Sequence, residues 1–236
     1  MGLKESGLRG SLRNVSVGID AIPDSQVFFP VDEGSGTVIS DDNDNVDATL
    51  DSESWIEDAD FVGGFAVDRR FQTDDVINSN INPVTVCAWL TISNWDNESI
   101  LATSDDRLDD PSTWAVETNA VGEIRTLDVN SDGSGGTITA ATFPENERGF
   151  IAFVMSSDDE GDTRKHRLVT YDDSELLSDN NSTRDSGSYD FGVKELAANG
   201  LVGGGNELNE PIEFVAVFDD KKLSGDEIKD VYQATK

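Results

Sequence analysis

The sequence predicts an all-β protein, a two-sheet sandwich with a short C-terminal helix and an extended N-terminal arm. Three observations carry this. From Gln26 onward, short apolar or alternating runs are separated by clusters of Asp, Asn, Gly and Ser, the pattern of many strands joined by turns. Residues 84–92 alternate cleanly, with Val84, Val86, Ala88, Leu90 and Ile92 on one face and Thr85, Cys87, Trp89 and Thr91 on the other. One convincing helix signal stands at 224–235, where Ser224 and Glu227 form a capping box ahead of the apolar stripe Ile228, Val231 and Tyr232.

In chain order, strands are expected at 26–31, 36–40, 46–50, 61–68, 83–92, 98–103, 112–118, 123–129, 137–142, 149–156, 164–171, 199–203 and 211–219. Both faces of 83–92 carry side chains worth burying, so it reads as a central strand, and GFIAFVM at 149–155 behaves alike. Asp132-Gly133 reads as the turn of a hairpin between 123–129 and 137–142. Segments 105–111, 157–163 and 172–190 read as acidic surface loops, and the helix is expected against the edge of the sandwich.

The 236 residues suffice for one sandwich core, so a single domain over 26–236 is expected behind an arm of residues 1–25. The arm is locally cationic, with Lys4, Arg9 and Arg13, whereas the whole chain holds 48 acidic and 17 basic residues and a formal charge of −31. With Leu3, Leu8, Leu12 and Val15 as apolar contacts it reads as a docking arm for a second copy or an acidic neighbour, a disordered tail being the alternative.

Asp outnumbers Glu 32 to 16 and only 7 lysines are present, which reads as a salt-adapted surface. In molar salt the Debye length falls to ~3 Å and removes most self-repulsion. A nucleic-acid mimic or a calcium-loaded surface is the competing reading. Binding of the body to nucleic acid or anionic lipid is disfavoured because both need a basic face. Cys87 is the single cysteine and excludes an intrachain disulfide. No apolar run approaches a membrane span or the core of a secretory signal, so membrane insertion is not expected and assembly in the cytoplasm is.

Taken in order, several segments resemble the laminin-G-like members of the concanavalin A-like lectin and glucanase superfamily. They are FFPVDEGSGTV (28–38), DDNDNVDATL (41–50) with Trp55, VGGFAVD (62–68), VTVCAWLTI (84–92), FIAFVM (150–155) and the closing strand and helix at 212–232. The resemblance covers residues 26–235 and implies a jelly-roll sandwich. It also implies that Asp41, Asp47 and Glu213 occupy positions that surround one calcium ion in metal-binding members. The chain departs from the pattern at Glu213, where the family has Asp, and at Asn43, Asn45 and Ala48, which stand at glycine positions.

Other residues offer weaker candidates. Asp128, Asn130 and Asp132 resemble the first half of an EF-hand loop, but its twelfth position is Thr139 rather than Glu. Glycoside hydrolysis needs two carboxylates flanking the bond. Glu123 and Asp128 are oddly spaced and point to opposite faces of a strand, so an enzyme is not expected. His166, among Arg164, Lys165 and Arg167, reads as an exposed strand residue in the one basic patch of the body. Trp95, in the polar loop SNWDNES, is the candidate for stacking on a sugar, with inward packing the equal alternative, whereas Trp55, Trp89 and Trp114 read as core.

A fold usually displayed outside cells, a missing export signal and a separate arm together suggest a virion surface protein of a halophilic virus. It would be a capsid decoration, turret or tail-fibre component, joined to its own copies and other virion proteins through residues 1–25 and touching host surface glycans. The chain looks, more loosely, like short proteins of haloarchaeal tailed viruses. The alternative is a cellular carbohydrate-binding or adhesion module without catalytic activity.

Overall fold

The computed structural model describes residues 25, 27–43, 45–58, 60–75, 83–93, 95–103, 114–129, 135–157, 163–185, 195–200 and 207–236. The docking-arm candidates Leu3, Lys4, Leu8, Arg9, Leu12 and Arg13 lie outside these, as do Asn130 and Asp132.

Two antiparallel sheets face one another as a jelly-roll sandwich. The first runs in the order β14 (Leu176–Asp185), β13 (Thr163–Tyr171), β12 (Arg148–Ser157), β7 (Val84–Thr91), β16 (Ile212–Asp219), β5 (Phe65–Val67) and β4 (Trp55–Glu57), with β1 (Val27–Phe29) also on β16. The second runs β11 (Gly135–Thr142), β10 (Glu123–Val129), β9 (Trp114–Thr118), β8 (Ser99–Ala102), β15 (Ala197–Ala198), β6 (Phe71–Thr73), β3 (Ala48–Leu50) and β2 (Val38–Ile39). One helix, α1 (Gly225–Thr235), closes the chain.

The alternation in β7 decides the layering. Val84, Val86, Ala88 and Leu90 enter the core between the sheets with Phe153, Val215 and Val116. Cys87 and Trp89 point the other way, under α1, with Phe150, Phe214, Ile228 and Tyr232. The helix therefore packs on the outer face of the first sheet, not on its edge as expected. An edge could not have covered Trp89, whose Nε1 donates to Thr235 Oγ1 at 2.8 Å and whose ring stacks on Tyr232 at 5.6 Å. The predicted capping box is present: Glu227 N donates to Ser224 Oγ at 3.2 Å and Ser224 N to Glu227 Oε2 at 2.7 Å. Thr85 Oγ1 pins the connection into the helix, donating to Lys221 O and accepting from Leu223 N.

Several strand expectations need correction. Residues 172–190 are not one loop. Asp172 Oδ1 accepts from Ser174 N at 2.6 Å and Glu175 N at 2.8 Å, and this side-chain turn leads into the ten-residue strand β14. Of the strand expected at 199–203, residues 201–203 lie outside the described residues, and β15, β4 and β6 stand where no strand was expected. Residues 61–64 form a turn ahead of β5, closed by Gly64 N on Phe61 O at 3.1 Å. The hairpin of β10 and β11 pairs as foreseen.

A candidate glycan-binding pocket on the outer face

The residues proposed for calcium are not gathered into one site. Asp41 is buried, and its carboxylate accepts backbone N–H groups of Phe28 at 2.7 Å, Asn43 at 3.1 Å and Asn45 at 2.9 Å. The loop thus wraps its donors around a carboxylate, whereas a calcium site turns oxygens towards a cation. Asp47 Oδ1 accepts from Asp41 N at 3.3 Å. Glu213 is fully buried and held by Arg148, whose Nε lies 2.8 and 2.9 Å from its two oxygens and whose guanidinium stands 3.9 Å over the Trp89 ring. Among the described residues, no three His, Cys, Asp or Glu side chains are placed to hold a metal ion.

Trp95 takes the inward of its two expected placements. It is half-buried and packs on the core between the sheets. Trp55 is likewise only half-buried, with its Nε1 donating to Gly36 O at 2.9 Å, while Trp89 and Trp114 are core as expected. His166 is not exposed. It shares a strand face with Leu168, lies buried against the Phe153 ring at 5.1 Å, and its Nδ1 is 3.0 Å from Thr126 Oγ1.

The opposite parity of β13 builds a different site. Lys165 and Arg167 point outward on the helix side of the first sheet. In register, Lys165 stands between Ser156 of β12 and Thr183 of β14, and Arg167 between Val154 and Asn181. Lys222, from the connection between β16 and α1, completes the lining of a solvent-open pocket of about 100 Å³. The wall at Arg167 is fixed. Its Nε and Nη2 each donate at 2.7 Å to the two oxygens of Asp179, and Gly225 in the first turn of α1 leaves room for Nη2, which a Cβ there would meet at 2.9 Å. This bidentate pair holds Asp179 below the usual carboxylate range through the hydrogen bonds from Arg167, against some loss of hydration.

The pocket stands out by charge. Each arginine with a described side chain has a carboxylate partner: Arg69 with Asp68, Arg70 with Asp51, Arg125 with Glu117, Arg148 with Glu213 and Arg167 with Asp179. No such ion pair among the described residues involves Lys165 or Lys222, and the lining holds hydroxyls, an amide and cations but no carboxylate. It can therefore hold hydroxyl-rich or anionic ligands, and it lacks the carboxylate pair that glycoside hydrolysis uses. Sequence reasoning saw the basic run at 164–167 but missed the pocket, because Lys222 and the strand β14 reach it only through tertiary folding.

No protein-family profile and no curated protein matches the chain. Solved structures do. Domain 4 of the extracellular arabinanase AbnA from Geobacillus stearothermophilus, solved with arabinotriose, matches over 90% of this chain and 98% of its own, with a TM-score of 0.60 at 11% identity. Trypanosoma rangeli sialidase matches over 89% of this chain and 33% of its own, with a TM-score of 0.57 at 15% identity. The receptor-binding domain of a botulinum neurotoxin of mosaic serotype C/D matches over 89% of this chain and 50% of its own, with a TM-score of 0.56 at 14% identity. The chain thus spans a third of the sialidase and half of the neurotoxin domain. At such identities the likeness is one of fold, and the fold is the two-sheet β-sandwich that the layering above defines.

Proposed function

We propose that the protein is a non-catalytic glycan-binding module whose ligand sits in the pocket of β12, β13, β14 and Lys222. The carrying observation is that lining among the described residues: donors and acceptors from Ser156, Asn181 and Thr183 beside two lysines, with an apolar floor at Val154 and no carboxylate. Hydroxyls and amides on a rigid sheet suit the hydroxyls of a sugar ring, and the sheet fixes their spacing. The fold agrees, since the arabinanase domain that it matches end to end was solved with a bound oligosaccharide.

The virion-surface reading drawn from the sequence rests on a fold usually displayed outside cells, a missing export signal and the arm at residues 1–25, and the structural neighbours favour the glycan-binding alternative over it. The two are compatible, because a module of this kind on an assembled particle gains avidity from many weak sites. The test is a glycan array probed in molar salt with the wild-type chain and with Asn181→Ala/Thr183→Ala. Binding to a defined set of glycans that the variant loses, with no release of reducing sugar, is the expected result. Binding that the variant retains, or turnover of any glycan, would overturn it.

A further inference from the structure

On a chain with 48 acidic and 17 basic residues, the described lining of the pocket holds cations and no carboxylate. Lys165 and Lys222 arrive from separate elements, one from β13 and one from the connection into α1, and line the same pocket. The cross-strand neighbours of Lys165 are the hydroxyl residues Ser156 and Thr183. Arg167 is already neutralised by Asp179 and serves as a wall. Among the described lining residues this leaves a net positive charge on a strongly acidic chain, and neutral sugars have no use for it. Lysine ammonium groups act as point charges that suit a single anionic substituent on a ring. The neutral partners beside them suit the ring hydroxyls.

We infer that this pocket binds acidic sugars, with Lys165 and Lys222 holding a carboxylate or sulfate group and Ser156, Asn181 and Thr183 reading the hydroxyls. The inference rests on the glycan-binding reading and specifies its ligand. Selectivity would come from the charge, because only an anionic ligand pairs with the two ammonium groups. It would also explain why none of the described lining residues is a carboxylate on a chain so rich in them.

The test is titration calorimetry in molar KCl of the full chain with methyl glucuronoside, methyl glucoside 6-sulfate and methyl glucoside. At least one acidic sugar should bind roughly ten-fold or more tightly than the neutral one, the worth of one charge-assisted contact. Which of the two prevails tells carboxylate from sulfate recognition. Lys165→Gln and Lys222→Gln should each abolish that preference, and Lys165→Arg should retain much of it. Both lysines are exposed, so these variants should fold as the wild type does. Equal affinity for all three sugars, or acidic binding indifferent to both substitutions, overturns the acidic-sugar inference and leaves glycan binding standing. If array and titrations show no sugar bound while inorganic sulfate binds, both readings fall.

Discussion

The Arg148–Glu213 pair offers the sharpest test of how the sandwich is held together. Glu213 is wholly buried, and burial pushes its carboxyl above the usual range against the pull of Arg148 and of the Val62 backbone N–H. For Arg148, burial alone would lower the guanidinium, but the bonds and charges of Glu213 and Asp173 outweigh it and leave it raised. Arg148→Met keeps the stem over Trp89 and removes the charge, stranding a buried carboxylate, so it should cost about 3–5 kcal/mol. Glu213→Gln keeps shape and an acceptor, and Arg148 retains Asp173 at 3.2 Å, so a loss of about 1.5–3 kcal/mol is expected. The double variant Arg148→Met/Glu213→Leu replaces the pair with apolar groups and should be more stable than Arg148→Met alone, giving a coupling of about 2 kcal/mol or more.

Urea unfolding in molar salt with unchanged m-values measures each step. The pH dependence supplies a second readout. In Arg148→Met the folded-state pKa of Glu213 lies above its unfolded value, so the folded state binds the extra proton, and stability is lost as pH rises through that folded value. The deficit should therefore shrink as pH falls towards about 5. A loss below about 1 kcal/mol for Arg148→Met, or strict additivity in the double variant, would refute the claim that this pair organises the buried face.

Further outcomes follow from the same contacts. Thr235→Val leaves the Trp89 indole N–H buried without its acceptor and should lower stability by about 1–3 kcal/mol in thermal melts, with Ser at 235 restoring most of it. Asp172 is held low by backbone N–H groups of Glu175 and Ser174, and Asp179 by Arg167, so both contribute stability present above the unfolded carboxylate pKa. That contribution should vanish as pH falls from about 4 to 2, and Asp179→Asn should flatten part of the profile. Burial pushes the Cys87 thiol far up, so a thiol reagent at neutral pH should label it in urea and not in the native protein.

How much of this was legible in the sequence depended on whether local pattern and tertiary need agreed. β7 and β12 were legible because both faces are apolar and both faces are buried, one between the sheets and one under α1. β14 was not. Its sequence LLSDNNSTRD carries residues that strands avoid, and it forms because the Asp172 turn folds it back on β13 at the sheet edge. His166 was misread from its basic neighbours, although its parity with Leu168 placed it inside. At Glu213 the sequence could not show Arg148 on the strand beyond β7, whose guanidinium holds the carboxylate. The pocket needed both the hairpin and the helix connection in place, so only the basic run could be seen beforehand.

Backbone amide shifts in a nitrogen-15 correlation spectrum, followed while the saccharide selected on the array is added in molar KCl, test the central claim most directly. Perturbations gathered at Ser156, Lys165, Asn181, Thr183 and Lys222 are the predicted result. Perturbations centred on the Trp95 loop or on the outer face of the second sheet would show that the ligand lies elsewhere and contradict the account.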